Sequence, residues 1–428
     1  MKHFIQYLLA KKARRLLEKH HPIVIGVTGS VGKTSTRDAI AAMLSQKYDV
    51  APNFKNYNNE FGLPLTILGN MSPGQSWFGW LSVLLSSPKK IPQVFVLEYA
   101  IDRPDDMDVL CAIAKPSIAV MTRLTPVHAE FFRSMEQLAE EKAKLLACVP
   151  EDGLVVLNAD DPRVMGLAGH ANAPRRTYGF SSHADVRAVD YGVWTREDFA
   201  FEPGELFSTL SFGVVWEDGR VDMEIKNALG KSVVSSALAA VAVARHLGVT
   251  DEQIIASIPK LTFEPGRMHP IPGIKGSLVL DSSYNAAPAS VSAALETLGE
   301  FRPVEGARRI AVLGQMAELG PYSEEEHRMA GLKAAEVGVD VLVTVGELAR
   351  DIRRGAMEAG LPETNAEHFA DSVEAGRWLD AHIKKGDIVL VKGSQSARME
   401  RAVKDIMAEP SRAAELLVRQ EAYWMQEH

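Results

Sequence analysis

The chain has 428 residues, 46% of them hydrophobic and 24% charged, a formal net charge of -8 and two cysteines. That length allows two or three domains of about 150 residues each, and the composition is that of an ordinary folded chain rather than a disordered one. The acidic balance argues against a general nucleic-acid binder; Cys111 and Cys148 are too few for a disulfide framework and fit a reducing cytoplasm; and no run reaches the roughly 18 apolar residues of a membrane span.

At the N-terminus, Phe4, Ile5, Leu8, Leu9, Leu16 and Leu17 recur at helical spacing, with Lys11, Lys12, Arg14, Arg15 and Lys19 between them. Residues 1–22 therefore predict a basic amphipathic helix. Such a helix can make weak contact with an anionic membrane surface or pack on the next domain; packing is the expectation, because amphipathic helices mostly face a core. A cleaved leader is not expected, since the apolar stretch is short and no small-residue site follows it.

Ile23-Val24-Ile25-Gly26-Val27 reads as a buried strand that runs into Thr28-Gly29-Ser30-Val31-Gly32-Lys33-Thr34-Ser35, with a helical stretch through Leu44 behind it. Strand, glycine-rich turn, Lys-Thr and helix is the context of a phosphate-binding P-loop. Gly29 and Gly32 let backbone N–H groups of Ser30, Thr34 and Ser35 point at phosphate oxygens, and the helix N-terminus adds its dipole. Lys33 would reach the β- and γ-phosphates and the Thr34 hydroxyl would bind Mg²⁺. The general pattern wants a further glycine where Val27 stands.

Next comes an aromatic-apolar run, Trp77–Leu85, which could touch a membrane or a partner; a buried or capping helix is the expectation, because the run is too short to span a bilayer. Val94–Leu97, Ile118–Thr122 and Gly153–Asn158 read as strands alternating with helical stretches, the pattern of a mainly parallel sheet. Glu98 ends the first of these and can offer a hard oxygen to Mg²⁺; His128, after the second, is weak evidence alone. Ser181–Lys226 alternates between turns and suggests a small antiparallel insertion, and a long helix over Ser232–Leu247 follows. Phe263-Glu264-Pro265-Gly266-Arg267 marks a break. Beyond it Leu278–Asp281, Arg309–Leu313, Val339–Val345 and Asp387–Lys392 restart the strand pattern. The expected fold is α/β: a central P-loop ATPase domain over 23–264 with a mainly parallel sheet, then a Rossmann-like α/β domain over 265–428.

Several ordered segments together resemble the Mur ligases, and within them the MurF branch. They are the P-loop itself, Asn58-Asn59-Glu60-Phe61-Gly62, Leu97-Glu98-Tyr99-Ala100, Asn158-Ala159-Asp160-Asp161-Pro162, Pro265-Gly266-Arg267-Met268, Asp281-Ser282-Ser283-Tyr284-Asn285, Leu313-Gly314-Gln315-Met316 and Val391-Lys392-Gly393-Ser394. The likeness runs over roughly residues 23 to 407, and the P-loop is the Mur variant, which accounts for Val27. The resemblance implies a cytoplasmic enzyme of peptidoglycan precursor synthesis that uses ATP and Mg²⁺ to add D-alanyl-D-alanine to a UDP-muramyl tripeptide through an acyl phosphate. It implies that Thr34, Glu98, His128 and a carbamylated Lys142 hold magnesium, with Lys144 the competing lysine. Lys33, Lys142, His128 and Lys392 would be catalytic, Arg267, Asp281, Tyr284 and Asn285 would close on the nucleotide, and Asn58, Asn59, Lys392 and Ser394 would meet substrate.

Departures from the family pattern are Ser282, Ala287 and Gln315, where aspartate, asparagine and aspartate are usual, and Gly230-Lys231-Ser232-Val233, which lacks a His-Asn pair. About twenty residues precede the P-loop strand, too few for the UDP-binding domain of MurF members. The alternatives are a folylpolyglutamate-synthetase-like or other amino-acid ligase, and a nucleotide-binding scaffold without ligase activity. A dehydrogenase is disfavoured, since no Gly-x-Gly-x-x-Gly follows a strand. No nucleic-acid partner is expected, and a monomer is.

Overall fold

A computed structural model describes residues 2–54, 57–88, 90–127, 130–199, 201–261, 264–421 and 424 of the chain. Its first half is a nine-stranded sheet. In chain order the strands are β1 (Ile23–Thr28), β2 (Val50–Pro52), β3 (Val94–Glu98), β4 (Ile118–Met121), β5 (Leu154–Asn158), β6 (Arg175–Gly179), β7 (Val186–Thr195), β8 (Ser208–Trp216) and β9 (Gly219–Lys226). They lie in the order β2-β3-β1-β4-β5-β6-β7-β8-β9, parallel from β2 to β7 and antiparallel from β7 to β9.

The helices of this half are α1 (Lys2–His20), α2 (Lys33–Leu44), α3 (Gly62–Ile67), α4 (Trp77–Leu85), α5 (Asp106–Ile113), α6 (Met135–Cys148), α7 (Pro162–Gly166), α8 (Lys231–His246) and α9 (Asp251–Ser257). Successive strand residues face opposite sides, so Ile25 and Val27 bury against α2 and α8, while Val24, Phe95 and Leu97 bury against α5 and α6. A strand buried on both faces needs an unbroken apolar run, which is why β1, β3 and β4 are legible in the sequence.

The second half is a six-stranded sheet of β10 (His269–Pro272), β11 (Leu278–Ser282), β12 (Arg309–Gly314), β13 (Val341–Val345), β14 (Ala366–Phe369) and β15 (Ile388–Lys392), in the order β10-β11-β15-β12-β13-β14. Only β10 is antiparallel to its neighbour. On one face α10 (Pro288–Glu300), α11 (Ser323–Glu336) and α12 (Arg350–Glu358) cover Leu278, Leu280 and Ala311. On the other, α13 (Ser372–His382) and α14 (Glu400–Ile406) cover Val279, Ile310 and Val389. Phe201 and Phe207, between β7 and β8, are buried in the same cluster as Leu280 and Leu295, stacked with ring centroids 4.8 Å apart. The first half thus supplies part of the second half's core.

Three sequence expectations need refining. Residues 181–226 are antiparallel as expected but continue the main sheet rather than forming a small insertion: β7 pairs in parallel with β6 through Tyr178 and Val186, so the β7-β8-β9 ribbon extends the central sheet. The α4 helix is not a buried one, Val83 being its one buried residue; it caps a small apolar cluster of Ile5, Leu9, Leu65 and Leu68 through Val83, Trp80 and Leu84. The short strands β2, β6, β10 and β14 were not foreseen: three sit at sheet edges, β10 carries two prolines that an edge tolerates, and β6 reads Arg-Arg-Thr-Tyr-Gly with little apolar signal. The α1 helix packs through Ile5, Leu9 and Ala13, as amphipathicity predicts. Residues 262 and 263, at the expected domain break, lie outside the described residues. No described helix is long and apolar enough to cross a membrane.

Candidate active site

The P-loop joins β1 to α2, and its two glycines are there for different reasons. Gly29 has φ of +140°, and a Cβ there would lie 2.0 Å from Thr122 Oγ1. That hydroxyl donates to the carbonyl oxygens of Thr28 (3.0 Å) and Val31 (2.7 Å), fastening the loop to the end of β4. Gly32, at φ of +84°, sits just before α2 in the left-handed region and turns the chain into the helix, whose first N–H groups have no intrahelical acceptor. Ser30 Oγ donates to Thr125 O at 2.8 Å. Lys33 Nζ folds back on the loop, donating to Gly29 O (3.0 Å) and Ser30 O (3.1 Å). Burial lowers the Lys33 pKa, Glu98 opposes that shift, and Arg267 across the cleft adds to it.

Pairing of β1 with β3 places Glu98 beside Val27, so a carboxylate at a strand end lands next to the loop. Its Oε2 accepts from Thr34 Oγ1 at 3.0 Å and its Oε1 from Asn58 Nδ2 at 3.1 Å. Arg37 Nη1 stands 3.8 Å away. Asn53 holds the backbone by accepting from Glu98 N. The Glu98 carboxylate and the Thr34 hydroxyl are hard oxygens of the kind Mg²⁺ prefers. Among the described residues no three His, Cys, Asp or Glu side chains come together as a metal cage, and His128 lies outside the described residues.

On α6, Lys142 is fully buried, and burial together with the charge of Lys33 brings its pKa down to about 7. Lys144, two residues on, lies at the surface beside Asp105 (3.2 Å), Asp108 (2.6 Å) and Glu141 (2.8 Å). Partial burial works against its charge, but hydrogen bonds to Asp108, Glu141 and Asp105 raise its pKa overall. The two lysines are thus opposites: one half-neutral amine inside, one fixed ammonium outside.

The facing wall comes from the second half. The Arg267 guanidinium lies 4.2 Å above the Tyr284 ring, within cation–π range. Lys392 is buried at the end of β15 and donates to Asn285 O at 2.7 Å and Ser282 Oγ at 3.3 Å. Burial, with Arg267 nearby, lowers its pKa to about 7. Ser282, one of the departures from the family pattern, is therefore a neutral partner to that lysine. Asp281 does not line the cleft; it is fully buried behind the turn, accepts from Ser283 N at 3.0 Å, and is pushed up to about 6 by burial. Ser394 is also buried behind the wall, bonded to Ser396 at 3.0 Å.

Together the walls enclose a cleft of about 1730 Å³ lined by Ser30, Gly32, Lys33, Thr34, Ser35, Asn58, Glu98, Arg267, Tyr284, Asn285 and Lys392. Asn59 points elsewhere: its Oδ1 accepts from Phe61 N and Gly62 N at the start of α3. Residues not singled out from the sequence also line the cleft, namely Asp102, Asp160, Arg398 and Trp424. Lys231 joins them, with its Nζ 5.6 Å from the Phe180 ring centroid and 5.8 Å from that of Tyr191. They converge from separate elements; Asp160 and Lys231 lie in segments that the sequence had marked, but it assigned no role to either.

Cations on both walls and a helix N-terminus have the chemistry that suits a polyphosphate. Comparison with known proteins agrees. The sequence models of the Mur ligase middle domain and of the Mur ligase glutamate ligase domain match residues 27–244 and 266–395. A UDP-N-acetylmuramoyl-tripeptide--D-alanyl-D-alanine ligase of Bacillus subtilis (strain 168) is 28% identical over 94% of this chain and 79% of its own length. The enzyme of that name from Mycobacterium tuberculosis (strain CDC 1551 / Oshkosh) is 33% identical over 90% of this chain and 73% of its own. The MurF ligase of Thermotoga maritima, solved in complex with ADP, superposes with a TM-score of 0.76 at 26% identity, covering 94% of this chain and 83% of that one. With two family domains in tandem and a phosphate site built from both, the chain belongs to the Mur ligase family of ATP-dependent ligases.

Proposed function

We propose that the chain joins the terminal carboxylate of UDP-N-acetylmuramoyl-tripeptide to the amine of D-alanyl-D-alanine, converting ATP to ADP and phosphate. The observation that carries this reading is the single cleft in which Lys33, Thr34 and Glu98 face Arg267, Tyr284 and Lys392. The names of the relatives supply the substrate pair.

In the first step the tripeptide carboxylate attacks the γ-phosphorus and ADP leaves, giving an acyl phosphate. In the second the dipeptide amine attacks the acyl carbon, and the tetrahedral adduct expels phosphate to leave an amide. Lys33 exchanges its loop carbonyls for β- and γ-phosphate oxygens and balances charge as it moves onto ADP. Thr34, Glu98, Lys142 and His128 are the candidate holders of Mg²⁺. Bound there, Mg²⁺ would neutralise phosphoryl charge. A lysine with pKa about 7 is about half free amine at neutral pH, the form that adds CO₂ and releases a proton to become a carbamate with hard oxygens. Arg267, Tyr284 and Asn285 cover the nucleotide, with Asp281 setting their turn from behind. Lys392 anchors the carboxylate of the incoming dipeptide, with Asn58 meeting substrate from the facing wall and Ser394 supporting the turn after Lys392 from behind. Closure of the two walls keeps water from the acyl phosphate. The free thiols of Cys111 and Cys148 suit a cytoplasmic enzyme, working as a monomer.

The test is phosphate release with ATP, Mg²⁺ and UDP-N-acetylmuramoyl-tripeptide, with and without D-alanyl-D-alanine. Dipeptide-dependent release with an amide product is expected. Release only with a folate and glutamate would replace this reading by the folylpolyglutamate-type ligase. ATP binding without turnover on any carboxylate would leave a scaffold.

A further inference from the structure

The cleft makes no use of α4, and α4 has an unusual surface. Its nine residues, Trp-Phe-Gly-Trp-Leu-Ser-Val-Leu-Leu, carry no charge, yet Val83 alone is buried. Phe78, Leu81 and Leu85, spaced i, i+3 and i+7, share one face and are 80%, 44% and 76% exposed; Trp77 beside them is 54% exposed. A helix that turns its apolar face outward in a folded chain leaves that face to be covered by something else.

Beside it lies α1. Lys12 Nζ donates to the carbonyls of Val83 (3.3 Å), Leu84 (2.8 Å) and Ser86, capping the last turn of α4 and tying the helices together. Ile5 of α1 and Trp77 and Trp80 of α4 line an apolar cavity of about 550 Å³ with Tyr57, Phe61 and Leu65. The outer face of α1 continues the pattern with exposed Phe4 and Tyr7, followed by exposed Lys11, Arg14, Arg15 and Lys19. The Lys11 ammonium sits 5.6 Å from the Tyr7 ring centroid. In a chain of net charge -8, this helix carries six lysines and arginines against the single acid Glu18.

We propose that the α1–α4 face docks on the surface of an anionic lipid bilayer. Charge decides the occupant. A second copy would bring the same cationic helix against itself, whereas an anionic leaflet complements it and attracts it locally despite the acidic remainder. Tryptophan, tyrosine and phenylalanine beside lysine and arginine are the side chains that settle at the headgroup level. The cavity between the helices has room for the end of an acyl chain. The contact is peripheral, since no described helix can cross a membrane, and it holds whatever substrate the cleft accepts.

The experiment is co-sedimentation of the full chain with vesicles of phosphatidylcholine mixed with phosphatidylglycerol, against phosphatidylcholine alone. Binding to the mixed vesicles, weakened by salt, is expected. The double variants Phe78→Ser with Leu85→Ser, and Lys11→Glu with Arg15→Glu, should each weaken it about tenfold. These side chains are exposed, so ATP turnover and the thermal midpoint should match the parent. Equal binding to both vesicles, no binding, or variants that bind as the parent does would overturn the proposal. So would sedimentation velocity showing a dimer that the same variants dissociate.

Discussion

Lys33 and Lys392 enter the cleft from opposite walls, and burial lowers the pKa of both, so each should reveal itself when its charge is removed. Lys33→Ala takes away the cation nearest the phosphates, and ligation should fall about 100- to 1000-fold with folding intact by circular dichroism. For Lys392 the sign follows from its pKa of about 7: the ammonium is present below that value and lost above it. The KM for the dipeptide should therefore climb as pH rises through about 7, while the KM for ATP stays flat. Arginine does not titrate in this range, so Lys392→Arg should flatten the dipeptide profile even if it raises KM overall. A third contrast separates two lysines that the sequence left in competition. Lys142→Ala should lower turnover by about 100-fold or more, and Lys144→Ala, a surface change, should leave it within about twofold; normal turnover in the first variant would remove Lys142 from the metal set. Much of this site was readable because the P-loop is contiguous. What sequence could not reveal was orientation: of two adjacent asparagines, Asn58 meets Glu98 and Asn59 caps α3. Nor could it gather Asp102, Lys231 and Trp424, which only the tertiary fold brings to one cavity.

At the scale of elements, the loop between β1 and α2 offers a comparison of two glycines. At Gly32 an added Cβ meets nothing nearer than Thr122 Cβ at 3.9 Å, so Gly32→Ala should cost only the left-handed backbone term, about 1–2 kcal/mol. At Gly29 the new methyl would strike Thr122 Oγ1 and push the loop off β4. Gly29→Ala should therefore abolish nucleotide binding, read by calorimetric titration, whereas Gly32→Ala should weaken it moderately. Equal losses would mean that the fastening by Thr122 is unimportant. The same scale explains the uneven legibility of the strands. Doubly buried β1, β3 and β4 write themselves as apolar runs, but β6 lies inside the sheet with two arginines and a threonine in five residues, held by its neighbours rather than by its own pattern. The α4 helix was legible only in part: it caps a small apolar cluster, but apolar composition implies full burial only when something in the same chain does the covering.

Taken whole, the molecule is two sheets whose cores are not independent. Phe207 is fully buried among residues of β11 and α10 although it belongs to the β7–β8 connection. Phe207→Ala should cost about 3–5 kcal/mol, and because the lost contact spans both halves, differential scanning calorimetry should show one transition broaden or split into two. A single, merely shifted peak would argue that other contacts dominate the coupling. Alternating strands and helices made the doubly layered plan of each half readable in advance. The cross-half insertion of Phe201 and Phe207 was not, since two phenylalanines in a connecting segment look the same whether they fill their own core or another's.

That insertion bears on how such a chain can be recombined. A crossover placed between the two family matches, which cover residues 27–244 and 266–395, would separate the two phenylalanines from the hole they fill, leaving an apolar socket in one parent and an unmatched plug in the other. Exchange with a relative is better tolerated when residues 196–207 travel with the second half, so the unit of inheritance here is discontinuous in sequence: one long C-terminal block and a dozen residues borrowed from the middle of the chain.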